Sequence, residues 1–255
     1  MNKTLIFIFL PVLIFMFSCK SETESNNSND SSKNSSDIKD DFNKEYLMPK
    51  VLDYEQKKES LIFDGFYPIG WSKDGKFAYI VEPVDEGSGF YFFKFMIVDF
   101  NNAQVVWKWE INESDKIETG NIAEIWEKHN SKFSEELRKN KIIQSDTHRI
   151  DTFPINILGK QYDYKQELKF SKDDIGFGFD IVAFAKNYLI IDKTQKLIIS
   201  QQDYQDDIIL KHKASGLIQS PDSKYLGVII SSERWGYEGP PNVVNFDIVG
   251  YKIVN

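Results

Sequence analysis

The chain has 255 residues, a formal net charge of −8, 41% apolar and 15% aromatic residues, and a single cysteine. The acidic balance excludes a dedicated nucleic-acid binder, which would carry a basic patch, and one cysteine excludes an intramolecular disulfide. Stability has to come from packing, and the chain is long enough and apolar enough to bury a sizeable core.

Lys3 and the N-terminal amine form a short positive region, followed by an apolar run from Leu5 to Phe17 that only Pro11 interrupts. At about 13 residues this run is shorter than the roughly 20 needed to cross a hydrocarbon core, so residues 1–18 read as a secretory signal. After Cys19 comes "KSETESNNSNDSSKNSSDIKDD", rich in Ser, Asn, Asp and Lys. Such a composition buries too little apolar surface to offset its ordering entropy, which predicts a disordered tether over 19–45. A single folded domain is expected over 46–255.

The stretch Met16-Phe17-Ser18-Cys19 resembles the lipobox of bacterial lipoprotein signals. Ser18 and Cys19 carry the likeness, while Phe17 and Met16 are bulkier than is usual there. The resemblance implies cleavage before Cys19, a diacylglycerol on its thiol, further acylation with palmitate, and attachment of the exported protein to a bacterial membrane. Two or three acyl chains, each CH₂ contributing about 0.8 kcal/mol when buried, hold a protein firmly on a bilayer. Lys20 rather than aspartate follows the cysteine, which favours the outer membrane in a host with two. An ordinary signal with a cysteine near its cut is the other reading.

The body alternates like β-structure. "KFAYIVE" (76–82) follows a turn at Lys73-Asp74-Gly75, and "FYFFKFMIVDF" (90–100) is apolar on both faces, as a central strand covered on both sides would be. Asn101-Asn102 turns the chain into "QVVWKWEI" (104–111). Over about 121–140 the pattern changes: Ile122, Ile125, Trp126, Phe133 and Leu137 recur at helical spacing with His129 on the same stripe. Asn121 with Glu124 reads as a capping box, and Lys139 and Lys141 suit the C-terminal end of the dipole. This predicts one helix docked on a sheet. Short strands follow, in "RIDTFPINIL", "KQYDYKQELKFS", "GFDIVAFAKN", the hairpin "YLIIDKTQKLIIS", "DIILKHKASGLI", "KYLGVIISSE" and "NVVNFDIVGYKIV".

Three segments share an apolar run, an aspartate, a turn and a second apolar strand: "MIVDFNNAQVVW" (96–107), "LIIDKTQKLIIS" (189–200) and "VNFDIVGYKIV" (244–254), with Asp99, Asp192 and Asp247 in register. Upstream, "GWSKDGKFAYIV" (70–81) parallels "IQSPDSKYLGVI" (218–229), matching Ser72 with Ser220, Asp74 with Asp222 and Lys76 with Lys224. These units resemble the blades of TolB-type β-propellers, whose repeats carry a W-S-P-D-G-K-like turn. The resemblance covers 61–111 and 206–254, and 150–200 only through its hairpin. It implies antiparallel, blade-like meanders and no particular activity. Three units are fewer than a closed propeller uses, so the expected fold is mostly β, an irregular propeller-like or packed-sheet body with one docked helix.

Chemistry-bearing clusters are sparse. "SDTHRID" places Ser145, Asp146, His148 and Asp151 in one stretch, but triads assemble from distant segments around an oxyanion hole, so it reads as a solvated connection. His129, His148 and His212 have no H-x-x-x-H or H-x-H spacing. Asp173-Asp174 and Asp203, Asp206, Asp207 lack the spacing of a calcium loop, and Gly176-Phe177-Gly178-Phe179 lacks the remainder of a phosphate-binding fingerprint. No catalytic residue, metal or cofactor is predicted.

One surface stretch stands out. "SSERWGYEGPPN" (231–242) carries Glu233, Arg234, Trp235, Tyr237 and Glu238 beside Pro240-Pro241, and the repeat puts "EPVDEGSG" (82–89) at the equivalent connection. Aromatic and arginine side chains on a stiffened loop are typical recognition anchors, so this end is expected to bind a protein or glycan partner. The sequence thus predicts a lipid-anchored envelope lipoprotein with a non-catalytic binding or structural body, the alternative being an envelope hydrolase with a site gathered from separate loops. Growth of the native host with labelled palmitate should label the protein, and Cys19→Ala should abolish the label; equal labelling of both would remove the lipid assignment.

Overall fold

The computed structural model describes residues 45–52, 60–172, 178–204, 208–237 and 239–253. The segment expected to be a signal, Cys19 and the expected tether as far as residue 44 lie outside them. So do Asp173, Asp174, Gly176, Phe177, Asp206, Asp207 and Glu238. In chain order the elements are β1 (Leu61–Phe63), β2 (Gly65–Trp71), β3 (Lys76–Glu82), β4 (Phe93–Asp99), β5 (Gln104–Ile111), a 3₁₀ turn (Glu113–Asp115), α1 (Ile122–Lys139), β6 (Ile143–Gln144), β7 (Ile155–Ile157), β8 (Lys160–Lys172), β9 (Asp180–Ile191), β10 (Gln195–Asp203), β11 (Ile209–Gln219), β12 (Tyr225–Arg234) and β13 (Asn242–Lys252).

The strands form three sheets. The first has the order β5-β4-β3-β2-β6, the second β10-β9-β8-β7 and the third β1-β13-β12-β11. Strand pairs are antiparallel except β1 with β13, which run parallel. The body is therefore mostly β, built of antiparallel meanders with a single α-helix among the described residues, as its alternating sequence predicts. No helix among the described residues is long and apolar enough to cross a membrane.

The first sheet is covered on both faces, which explains why β3 and β4 are apolar on both. Ala78, Ile80, Phe93, Phe95 and Ile97 face α1, and Phe77, Tyr79, Val81 and Val98 join the third sheet through Ile229, Val244 and Ile248. The helix forms where its stripe predicts. Asn121 caps it by accepting from the Glu124 N–H at 3.0 Å, and Phe133, fully buried, sits with its ring centroid 5.0 Å from Phe95 and 5.2 Å from Trp109. A second donor of the first turn, the Ile122 N–H, goes to a distant carboxylate, Glu82 Oε1, at 3.2 Å.

The repeated turn is real. Ser72 Oγ donates to Asp74 at 2.5 Å and accepts from the Lys76 N–H at 2.8 Å; Ser220 Oγ donates to Asp222 at 2.8 Å and accepts from the Lys224 N–H at 3.1 Å. Gly75 and Ser223, at matching positions, both have positive φ, 92° and 57°. The left-handed conformation costs little at glycine and is tolerated by a small polar residue in a turn.

The third repeat differs from its expectation. Residues 244–252 continue one strand, β13, and make no hairpin. Gly250 is a packing glycine instead of a turn glycine: a side-chain carbon added there would overlap the Phe100 ring. The opposite approach is equally close, since Gly75 lies against the ring of Tyr225. Strands β8 and β9, at 13 and 12 residues, are also longer than the short strands expected. Gly250→Ala should destabilise the fold by about 1–3 kcal/mol through overpacking, measurable as a lowered urea midpoint with an unchanged m-value.

Candidate functional site

The two loops that the repeat places at one end do meet there. Arg234, the last residue of β12, forms an ion pair with Glu86, and Gly87 lies beside the Tyr237 ring. The 82–89 loop is internally ordered: Asp85 accepts from the N–H groups of Gly87, Ser88 and Gly89 at 3.2, 2.9 and 2.9 Å. Its first residue, Glu82, accepts from the phenols of Tyr67 at 2.7 Å and Tyr91 at 2.8 Å, besides the helix N–H. Burial, and then this carboxylate, push both phenols well above the ordinary tyrosine range.

The predicted recognition residues divide into two groups. Tyr237 is 80% exposed. Trp235 is half-buried, with its ring centroid 4.8 Å from that of Phe179. Glu233 belongs to β12 rather than to the loop, and its carboxylate meets Lys211 at 2.7 Å and the Asn242 side-chain amide at 2.9 Å.

The "SDTHRID" stretch does not assemble a triad. Ser145 Oγ donates to the Thr147 carbonyl at 3.2 Å, and the Asp151 carboxylate pairs with Arg149 at 2.9 Å. The His148 and Phe77 rings meet in a T-shaped contact, the His148 Nε2 is buried with no hydrogen-bond partner among the described residues, and burial lowers its pKa, which favours the neutral form. This connection, expected to be solvated, is partly buried because it walls a cavity.

That cavity, of about 780 Å³, is the feature the sequence did not reveal. Its roof is a strap, residues 47–52, with the connection through Ser145, Asp146, His148 and Ile150; its floor is one face of the third sheet. The strap is fastened at both ends. Tyr46 OH donates to the Ile142 carbonyl at 2.5 Å, the Gln144 amide exchanges two bonds with the Leu47 backbone at 2.9 and 2.6 Å, and the Leu52 N–H reaches the Phe66 carbonyl at 2.8 Å. Between these points Met48 and Val51 remain exposed. The partners at the Tyr46–Leu47 end are almost a hundred residues apart in sequence, so no local motif announces them.

His212 also has a place that spacing could not give. It is buried in a polar joint between the second and third sheets. Its Nε2 lies 3.0 Å from Asn187 Nδ2, and its Nδ1 lies 2.8 Å from Tyr204 OH and 3.0 Å from Ser232 Oγ. Asn187 in turn accepts from Tyr164 OH at 2.5 Å and donates to Ser200 at 2.8 Å. All these partners are uncharged, so nothing offsets the burial that drives the imidazole pKa down to about 4. Among the described residues no group of three or more His, Cys, Asp or Glu side chains is placed to hold a metal ion.

Compared with known proteins, the chain matches no family model, no curated protein and no solved structure.

His212 makes stability depend on pH with a definite sign. Its folded pKa of about 4 lies below the ordinary 6.5, so below pH 6.5 the unfolded chain takes up a proton that the folded chain refuses. Stability should therefore fall as pH drops from 6.5 toward 4, by up to about 1.4 kcal/mol per pH unit. Urea unfolding at pH 5.0 and 6.5 should show this loss, and His212→Gln should reduce it.

Proposed function

We propose that this chain is an exported bacterial lipoprotein, held on a membrane through Cys19, the outer one in a host with two. Its body is a non-catalytic binding module that meets a protein or glycan partner at the Tyr237 end. The observation that carries the reading is the Arg234–Glu86 pair, which ties two loops from equivalent positions into one surface around a ring that is 80% exposed. A rigid, ordered rim around an exposed tyrosine is what a recognition anchor requires, because little conformational entropy is lost on binding. The disposition of Ser145, His148 and Asp151 weighs against hydrolysis, since hydroxyl, imidazole and carboxylate each lack the contacts of a relay.

The lipid anchor and the loop end can be tested together but separately scored. Cys19→Ala should move the protein from the membrane to the soluble fraction. Tyr237→Ala should leave it on the membrane yet lower the yield of a partner cross-linked in intact envelopes about tenfold, as expected for loss of about 1–2 kcal/mol at an aromatic anchor. An unchanged cross-linking pattern in Tyr237→Ala would remove the loop end from the proposal.

A further inference from the structure

Ser215 occupies a β-bulge on the cavity floor. The register of β11 with β12 pairs Ala214 with Ile230 and Gly216 with Ile229, so Ser215 is the extra residue, and a bulge re-aims the side chain it carries. Here that side chain joins the cavity lining beside Ser231. The bulge also shapes the wall: a side-chain carbon on Gly216 would lie 2.2 Å from Ile150 Cγ2, and its absence lets Ile150 seat there. The two hydroxyls run in one direction. Ser215 Oγ donates to Ser231 Oγ at 2.6 Å, and Ser231 Oγ donates to the Lys213 carbonyl at 3.5 Å. Both protons are therefore used within the protein. A hydroxyl oxygen also carries two acceptor lone pairs, and among the described residues no donor reaches Ser215 Oγ. Ser215 thus offers the cavity an acceptor and no donor.

The charges that line the cavity leave no place for an ion. Lys211 and Asn242 engage the two carboxylate oxygens of Glu233 at 2.7 and 2.9 Å, Lys213 has a partner of its own, and Lys50 and Asp146, of opposite sign, are both exposed. An ionised head entering the cavity would lose its hydration without a free buried counter-charge, whereas a neutral donor exchanges one hydrogen bond for another. The apolar part of the lining includes Leu61, Phe63, Pro68, Ile150 and Val244, with the Phe63 ring stacked on that of Phe246 at 6.2 Å. From β1, which carries Phe63, to β11, which carries Ser215, the sheet crosses three strand spacings, roughly 14 Å. The volume of about 780 Å³ lies within the range of small-molecule sites lined by apolar side chains and a few placed polar groups.

We propose that this cavity binds an uncharged amphiphile, its apolar body over Phe63 and Val244 and a hydrogen-bond donor at its other end, such as an alcohol hydroxyl, on Ser215 Oγ. The strap covers the body of the ligand, and the distance from β1 to β11 sets its length. This site is separate from the Tyr237 end and stands or falls independently of the lipid anchor and of any macromolecular partner.

The test uses calorimetric titration of the full chain with decanol, decyl methyl ether, decanoate and decyltrimethylammonium, each below its aggregation concentration. Decanol should bind with one-to-one stoichiometry, about fivefold more tightly than the ether, which accepts but cannot donate, and at least about tenfold more tightly than either ion. Ser215→Ala should bring decanol to within about twofold of the ether, while Phe63→Ala should weaken both about equally and preserve their ratio. Circular dichroism melts of both variants must match the parent, and Ser215→Ala, a small change at a half-buried bulge, keeps the test available if Phe63→Ala fails to fold. Absence of decanol binding, equal binding of alcohol and ether by the parent, an ion bound as tightly as decanol, an alcohol preference that survives Ser215→Ala, or undiminished binding by a folded Phe63→Ala would each overturn the proposal.

Discussion

Two glycines let the first and third sheets touch. Phe100, just beyond β4, lays its ring on Gly250, and Tyr225, at the start of β12, lays its ring on Gly75. The contact is reciprocal: Gly75 lies within the first matched Ser-Asp-Lys turn, and Tyr225 directly follows the second. The Phe100 N–H donates to the Gly75 carbonyl at 2.9 Å, and the Ile253 N–H to the Lys224 carbonyl at 2.8 Å. The two sheets are thus joined where their turns are, and the aromatic layer of Trp71, Phe77 and Phe100 packs behind that joint. Farther along the same face of the third sheet, Ile229 gives way to Ser231 and Glu233, and the cavity takes the place of the core.

Where the sequence was legible, one local interaction decided the structure. The helix follows from the spacing of Ile122, Ile125, Trp126, Phe133 and Leu137 and from the Asn121 cap. Strands β3 and β5 end where their alternation ends. The matched turns could be read because Ser72 and Ser220 bond groups only two to five residues away. Gly250 misled because a glycine in an apolar run has two physical uses, positive φ and close approach, and the sequence alone does not distinguish them. The strap, the cavity and the His212 joint were invisible for a different reason. Each is defined by partners from separate strands, so no spacing encodes them; Glu233, for example, is a loop residue by its neighbours in sequence and a cavity residue by its strand.

The polar groups inside the body serve three distinct ends. Glu82 joins a loop, two tyrosines and the first turn of α1, where a carboxylate also suits the positive end of the dipole. Asp64, 5% exposed, accepts from the Val84 N–H and the Asn245 amide, each at 3.0 Å, and so links the β3–β4 loop of the first sheet to β13. Burial raises its pKa, and the two hydrogen bonds work against that rise. Asn187 and His212 do for the second and third sheets what apolar contacts do elsewhere, but with directional bonds that fix one register. Every one of these groups is positioned by a partner on a different element, which is why the meanders cannot slide past one another.

The parallel pairing of β1 with β13 has a consequence for how the chain reaches this structure. Leu61, Ile62 and Phe63 find their partners at Asn242, Val243 and Val244, and Asp64 meets Asn245 at a separation of 181 residues. Contacts of such high order are the slow ones, because the entropy of closing the intervening loop is lost before the contact repays it. The edge of the third sheet is therefore completed by a pairing between the first and last strands among the described residues, and during synthesis β1 has no partner there until β13 has been made. The body matures as a closed circuit, from its last strand back to its first.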